Sequence, residues 1–227
     1  REWVCTMPPR FPVAFKGKCE QGISVYDYDN NRNYRIFVPC ENREVYLYGL
    51  DGKPVEGWNP QKTDKPVVSK VQHFRVADKD YILDRKGKER VRVSSVFDLK
   101  PHTDVYLTRK GGQPVLVFAG KGGQVHVVNF SGQTETSRVE GLSDRFEMNI
   151  VDWDGNGTGD VLFTDGNRVL VTRLDGTPLF EKKMEAKTLG FPYVYRFSAK
   201  DVRVGLTDPE QNHLFLLSAD GKLSKGF

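Results

Sequence analysis

The stretch Val151 to Gly176, VDWDGNGTGDVLFTDGNRVLVTRLDG, decides how the rest of the chain is read. It passes from a carboxylate-rich hairpin into an apolar run, through a tight turn into a second apolar run, and on to another turn. VLFT and RVLVT are short, rich in β-branched residues and bounded by Gly, Asp and Asn, which is the pattern of strands. Four other segments read as worn copies. Aligning the last turn of each puts Gly52, Gly87, Gly132, Gly176 and Gly221 in one column, at spacings of 35, 45, 44 and 45 residues. Six residues before each glycine stand Tyr46, Tyr81, His126, Leu170 and Phe215. Five before stand Leu47, Ile82, Val127, Val171 and Leu216. Neighbouring positions of a strand point to opposite faces, so this strand is expected to be covered on both sides.

A period near 45 with three or four short strands per unit predicts β-propeller blades, because a four-stranded sheet buries both faces only by stacking on its neighbours. A two-sheet sandwich also gives many short strands, but it supplies no reason for a fixed period. The expected fold is therefore all-β: a propeller of about five four-stranded blades, complete or part of a larger ring, forming a single domain over 1–227. The repeat units run roughly 23–58, 67–93, 104–139, 146–183 and 193–227. Residues 1–22 carry three prolines and no sustained period; they read as a lead-in or closure segment, with RFPVAF (Arg10–Phe15) as an edge strand completing the fifth sheet. The absence of an initiator Met and this irregular start suggest a piece of a longer protein.

Composition narrows the class of function. The chain has 34 basic and 30 acidic residues, a net +4 dispersed along its length, which argues against a nucleic-acid or anionic-membrane partner. No run approaches the roughly 18 apolar residues of a membrane span. Cys5, Cys19 and Cys40 match no zinc spacing; one disulfide, Cys5 to Cys19 or Cys19 to Cys40, and three reduced thiols are both open readings.

DWDGNGTGDVLF followed by NRVLVTRLDG resembles the propeller repeats of the integrin, FG-GAP or VCBS type. VYLYGLDGKPVEGW resembles the quinoprotein-like repeats of outer-membrane assembly lipoproteins. Trp58 of the latter is replaced by Val93, Arg138, Lys182 and Phe227 in the other units.

In DWDGNGTGD, Asp152, Asp154 and Asn156 stand at positions 1, 3 and 5. Gly157 permits a sharp turn at 6, Thr158 offers a carbonyl at 7, and Asp160 closes at 9. Hard cations take such oxygen cages. Position 12 is Phe163 rather than the Glu of an EF-hand, so the site would be the shorter calcium hairpin that the integrin-type resemblance implies. The same residues also suit a metal-free tight turn; three carboxylates crowded into nine positions favour calcium. Asp27, Asp29 and Asn31 repeat the pattern in the first unit, but Arg32 and Arg35 stand at positions 6 and 9, which reads as a metal-free copy.

No catalytic set emerges. RKGGQ and AGKGGQ lack the Ser or Thr and the helix of a phosphate loop and read as hairpin turns. His73, His102, His126 and His213 stand apart, with His126 in the apolar column as a core histidine. Trp58, Trp153 and Tyr193 to Tyr195 are candidates for a sugar-stacking or peptide-docking surface, or for core packing. The functional expectation is a non-enzymatic scaffold binding a protein or ligand, with one structural calcium in the fourth repeat. The alternatives are a glycan-active or quinone-dependent propeller enzyme, or a carbohydrate-binding module. Millimolar calcium is an extracellular condition, which places the chain outside the cell or in a periplasm.

Overall fold

The structure is a computed structural model that describes residues 10, 12–20, 22–27, 31–58, 60–63, 67, 71–76, 79–81, 102–198 and 201–224. The chain divides into two compact units, residues 1–92 and 93–227. Each described sheet is an antiparallel meander whose sequence neighbours are neighbours in space. In the first unit β1 (Ser24–Tyr26), β2 (Arg35–Pro39), β3 (Glu44–Gly49) and β4 (Gln61–Lys62) form one sheet, and β5 (Phe74–Val76) pairs with β6 (Lys79–Tyr81).

Among the described residues the second unit holds three sheets. β7 (Tyr106–Lys110), β8 (Gln113–Ala119), β9 (Gln124–Asn129) and β10 (Thr134–Arg138) form one. β11 (Glu147–Val151), β12 (Asp160–Asp165), β13 (Arg168–Thr172) and β14 (Pro178–Lys183) form the next. β15 (Tyr193–Arg196), β16 (Val202–Asp208) and β17 (His213–Ser218) form the last. The expectation of four strands per sheet is met in three of these five sheets. Past β17 a bridge from Leu217 to Leu223 begins a further pairing.

The glycine column is a shared turn. Gly52, Gly132, Gly176 and Gly221 all have φ between 72 and 87°, and each donates its N–H to the carbonyl three residues back, on Gly49, Asn129, Arg173 and Ser218. A left-handed residue closing a short hairpin loop costs a residue with a Cβ roughly 1–2 kcal/mol, which explains the repeated glycine. Gly87 lies outside the described residues. RKGGQ and AGKGGQ are hairpin turns, joining β7 to β8 and, through a 3₁₀ turn at Lys121–Gly123, β8 to β9.

Alternation along the strands builds the core. One face of the β7–β10 sheet, with Val115, Val117, Val125 and Val127, packs on Met148, Val161, Phe163 and Leu170 of the next sheet. The other face of that sheet, with Val151, Leu162, Val169 and Val171, packs on Val202, Val204, Leu206 and Leu217. β12 and β13 are thus sandwiched, as their two-sided apolar pattern requires. Burying each such side chain stabilises by about 1.5–3 kcal/mol, and no single polar contact here competes with that sum.

In the first unit Phe37, Val45, Leu47 and Trp58 fill one face of the β1–β4 sheet; Val38, Cys40 and Tyr46 fill the other. RFPVAF departs from expectation. Its described residues form no strand and join no sheet; Phe15 instead packs edge-on against Tyr46 and Tyr48, with ring centroids 5.1 and 6.1 Å away. Pro12 deprives the segment of one ladder donor, and an aromatic anchor replaces pairing. Of the two disulfide readings, Cys19 to Cys40 is the pair formed. Cys5 lies outside the described residues.

Two outcomes follow for stability. Gly176→Ala lowers the urea midpoint by an amount equal to about 1–2 kcal/mol, because φ there is 87° and an added Cβ would stand 3.0 Å from the Arg138 carbonyl oxygen. Reducing the disulfide, which spans 21 residues, costs about 3 kcal/mol in the first unit, and a Cys40→Ser variant loses all response to the reductant.

Candidate metal centre

The Asp152–Asp160 loop links β11 to β12, whose register closes on the pair Val151 and Asp160. That pairing holds the first and last carboxylates side by side. Gly155 and Gly157 turn the chain at φ 73 and 81°, so the glycine expected at position 6 is left-handed as the sharp turn demands. One oxygen from each of Asp152, Asp154 and Asp160 lies within 4.8 Å of the other two. Asp160 is buried and Asp152 half-buried, while Asp154 is exposed. Asn156 sits at the exposed tip and accepts the Thr158 N–H at 2.7 Å.

The loop also satisfies itself. Asp160 accepts the Trp153 N–H at 3.0 Å, Asp154 accepts that of Asn156 at 3.2 Å, and Asp152 accepts that of Gly157 at 3.3 Å. Two guanidinium groups approach from outside it. Arg196 of β15 lies 3.4 Å from Asp152, and Arg173, just past β13, lies 3.9 Å from Asp154. Sequence reading missed both arginines, because Arg173 meets the loop only once β13 has paired with β12, and Arg196 only once the next sheet has stacked. Three carboxylates facing two partly exposed cations leave an oxygen-rich, net acidic cluster whose donor chemistry fits a hard cation.

Burial is the first cause that pushes the Asp160 carboxyl up, to about 6, with the charges of Asp154 and Asp152 adding to it; the Trp153 N–H and Arg173 act the other way. The loop is also packed from behind. Gly159 donates its N–H to the Arg109 carbonyl at 3.1 Å, and a Cβ on Gly159 would collide with Thr108 of β7. The nine residues therefore touch three consecutive sheets.

The other candidates fall apart in space. Trp58 and Trp153 are core, against Phe37 at 5.6 Å and Phe180 at 4.9 Å, while Tyr193 and Tyr195 are exposed. His126 is buried, 2.9 Å from Thr136 Oγ1 and stacked on Phe118, and burial lowers its pKa. His73, His102 and His213 pack on Tyr26, Phe146 and Phe215. In the first unit Asp27 accepts the N–H groups of Asn31 and Arg32 at 3.1 and 2.8 Å, and Arg35 turns to Asn33; Asp29 lies outside the described residues. Among the described residues no helix is long and apolar enough to cross a membrane.

No family model and no curated protein matches the sequence. Solved structures do. Two crystal structures of BBS1N in complex with ARL6DN, soaked with mercury and with lead, share 12% and 11% identity at TM-scores of 0.57 and 0.53. The matches cover 92% and 93% of this chain but only 66% and 68% of those chains. A protein of unknown function from Bacteroides caccae matches at 12% identity and a TM-score of 0.38, over 79% of this chain and 55% of that one, a likeness too slight to carry an argument. At such identities the likeness concerns fold alone: the chain is all-β, of the β-propeller class.

Asp160 sets a pH dependence in chelator. Between its ordinary value near 3.8 and about 6 the folded chain holds a proton that the unfolded chain has lost. Stability therefore falls as pH rises through that window, by on the order of 3 kcal/mol. Asp160→Asn removes that slope in denaturation curves taken from pH 4 to 7.

Proposed function

We propose that the chain is a non-enzymatic propeller scaffold that binds a protein partner, and that Asp152, Asp154, Asn156, Thr158 and Asp160 form a structural calcium hairpin within it. The observation that carries this reading is the placement of the hairpin. Its carboxylates converge within 4.8 Å at a loop that bonds to β7 on one side and β15 on the other. A cation there neutralises repulsion at a junction of three sheets, which serves stacking and not turnover. The protein partner is supported by the solved neighbours, since BBS1N is described in complex with ARL6DN. The Cys19 to Cys40 disulfide and a calcium hairpin together suit an oxidising, calcium-rich setting, extracellular or periplasmic.

Asp160 as a ligand is deprotonated, so calcium binds with loss of a proton and more weakly below about pH 6. At a calcium concentration of about 100 times the dissociation constant, the gain is roughly 2.7 kcal/mol, a rise in melting temperature of about 5–10 °C over chelator. Asp152→Ala abolishes the rise. A wild-type shift below about 1 °C, or a shift that Asp152→Ala leaves intact, sinks the calcium reading.

A further inference from the structure

The end of the β11–β14 sheet opposite the carboxylate hairpin opens into a cleft of about 630 Å³, built within the second unit alone. By register Asp165, Arg168 and Lys183 stand abreast on β12, β13 and β14, with Glu181 two positions along on the same face. Two connections border them. The one after β10 is fixed where Ser143 donates its N–H and its hydroxyl to Asp165 at 2.7 and 2.5 Å. The one after β14 is fixed where Leu189 donates its N–H to the Gly166 carbonyl at 2.7 Å.

The charges of the cleft divide into two sets. Arg168 belongs to the wall: it donates to the Gly141 carbonyl and lies 3.4 Å from Glu181 and 3.7 Å from Asp165. Both carboxylates of the cleft are thus met from within it. Arg145 and Lys183 are exposed, and among the described residues neither enters an ion pair. The Arg145 N–H donates to Ser143 Oγ at 3.1 Å, which ties its backbone to the same wall. Three cations against two carboxylates leave a net +1, and the uncompensated charge sits on Arg145 and Lys183.

The lining narrows the ligand further. Among its described residues Leu189 is the one apolar side chain and no aromatic ring is present, so an apolar ligand, a sugar or a base finds no surface to stack on. Asp165 and Glu181 in the same wall oppose a phosphate dianion more strongly than a single carboxylate. The volume also holds far more than one small anion, a water's share of liquid being about 30 Å³. We infer that this cleft takes an acidic peptide segment of the protein partner, with side-chain carboxylates meeting Arg145 and Lys183 and with Ser143, Asn167 and Thr188 supplying hydrogen bonds. This names the chemistry of the partner and rests on the scaffold reading; it does not depend on calcium.

Fluorescence anisotropy of the 227-residue chain with labelled hexaglutamate tests it. The expected result is saturable binding with a dissociation constant below about 1 mM. Arg145→Glu combined with Lys183→Glu weakens it at least about tenfold. Lys121→Glu, a reversal at an exposed lysine outside the cleft, changes it less than about twofold. Thermal melts establish that the variants fold, and Arg145→Gln combined with Lys183→Gln, which removes charge and introduces none, lowers affinity in the same direction. Absence of saturable binding, or binding that Lys121→Glu weakens as much as the double reversal does, overturns the inference and leaves the scaffold reading standing. Free glutamate competing mole for mole with the peptide overturns both, because the cleft then takes a small molecule and not a protein segment.

Discussion

A β-sheet with two apolar faces cannot stand in water, and most of this structure follows from that constraint. β12 and β13 carry Val161 and Phe163 toward one neighbour and Leu162 and Val171 toward the other, all fully buried. Strand alternation makes the two-sidedness unavoidable once the sequence runs VLF and VLV without polar interruption. Each sheet then needs a sheet on either side. The 45-residue period is the length of chain that builds one layer and returns for the next.

The hairpin from Asp152 to Asp160 is subordinate to that stacking. Its backbone sits against β7 through Gly159, and its first carboxylate reaches Arg196 on β15. Packing of the sheets brings these groups into range; the groups then tie the edges of the layers. Because Asp160 is buried at this junction, its charge carries a desolvation cost that a surface aspartate would not. The same carboxylates serve as turn acceptors and as candidate cation ligands, and the two roles share one geometry: side-chain oxygens directed at a small loop.

Local features were legible in the sequence wherever the physics is local. The glycine column reports left-handed backbone at a repeated turn, and Gly52, Gly132, Gly176 and Gly221 all have it. The strand columns report burial, and Leu47, Val127 and Val171 are buried. The spacing in DWDGNGTGD reports convergence of Asp152, Asp154 and Asp160. The apolar residues of RFPVAF fit a strand or an anchored coil equally well, and the contact of Phe15 with Tyr46 and Tyr48 decides for the coil. Trp153 and Tyr195 are both aromatic candidates in the sequence, yet Trp153 folds from the hairpin loop onto Phe180 and is core, while Tyr195 on β15 is exposed.

The sequence by itself determined the all-β class, the repeating turn, the two-sided strands and the carboxylate hairpin, since each is set by residues within a few positions of one another. Tertiary structure alone decided the rest. It chose Cys19 to pair with Cys40, brought Arg173 and Arg196 to the hairpin, and left the face of Tyr193, Tyr195 and Phe197 exposed. These depend on which segments lie against which, and the forces that decide it, burial of area and the meeting of distant charges, act across tens of residues and leave no local pattern.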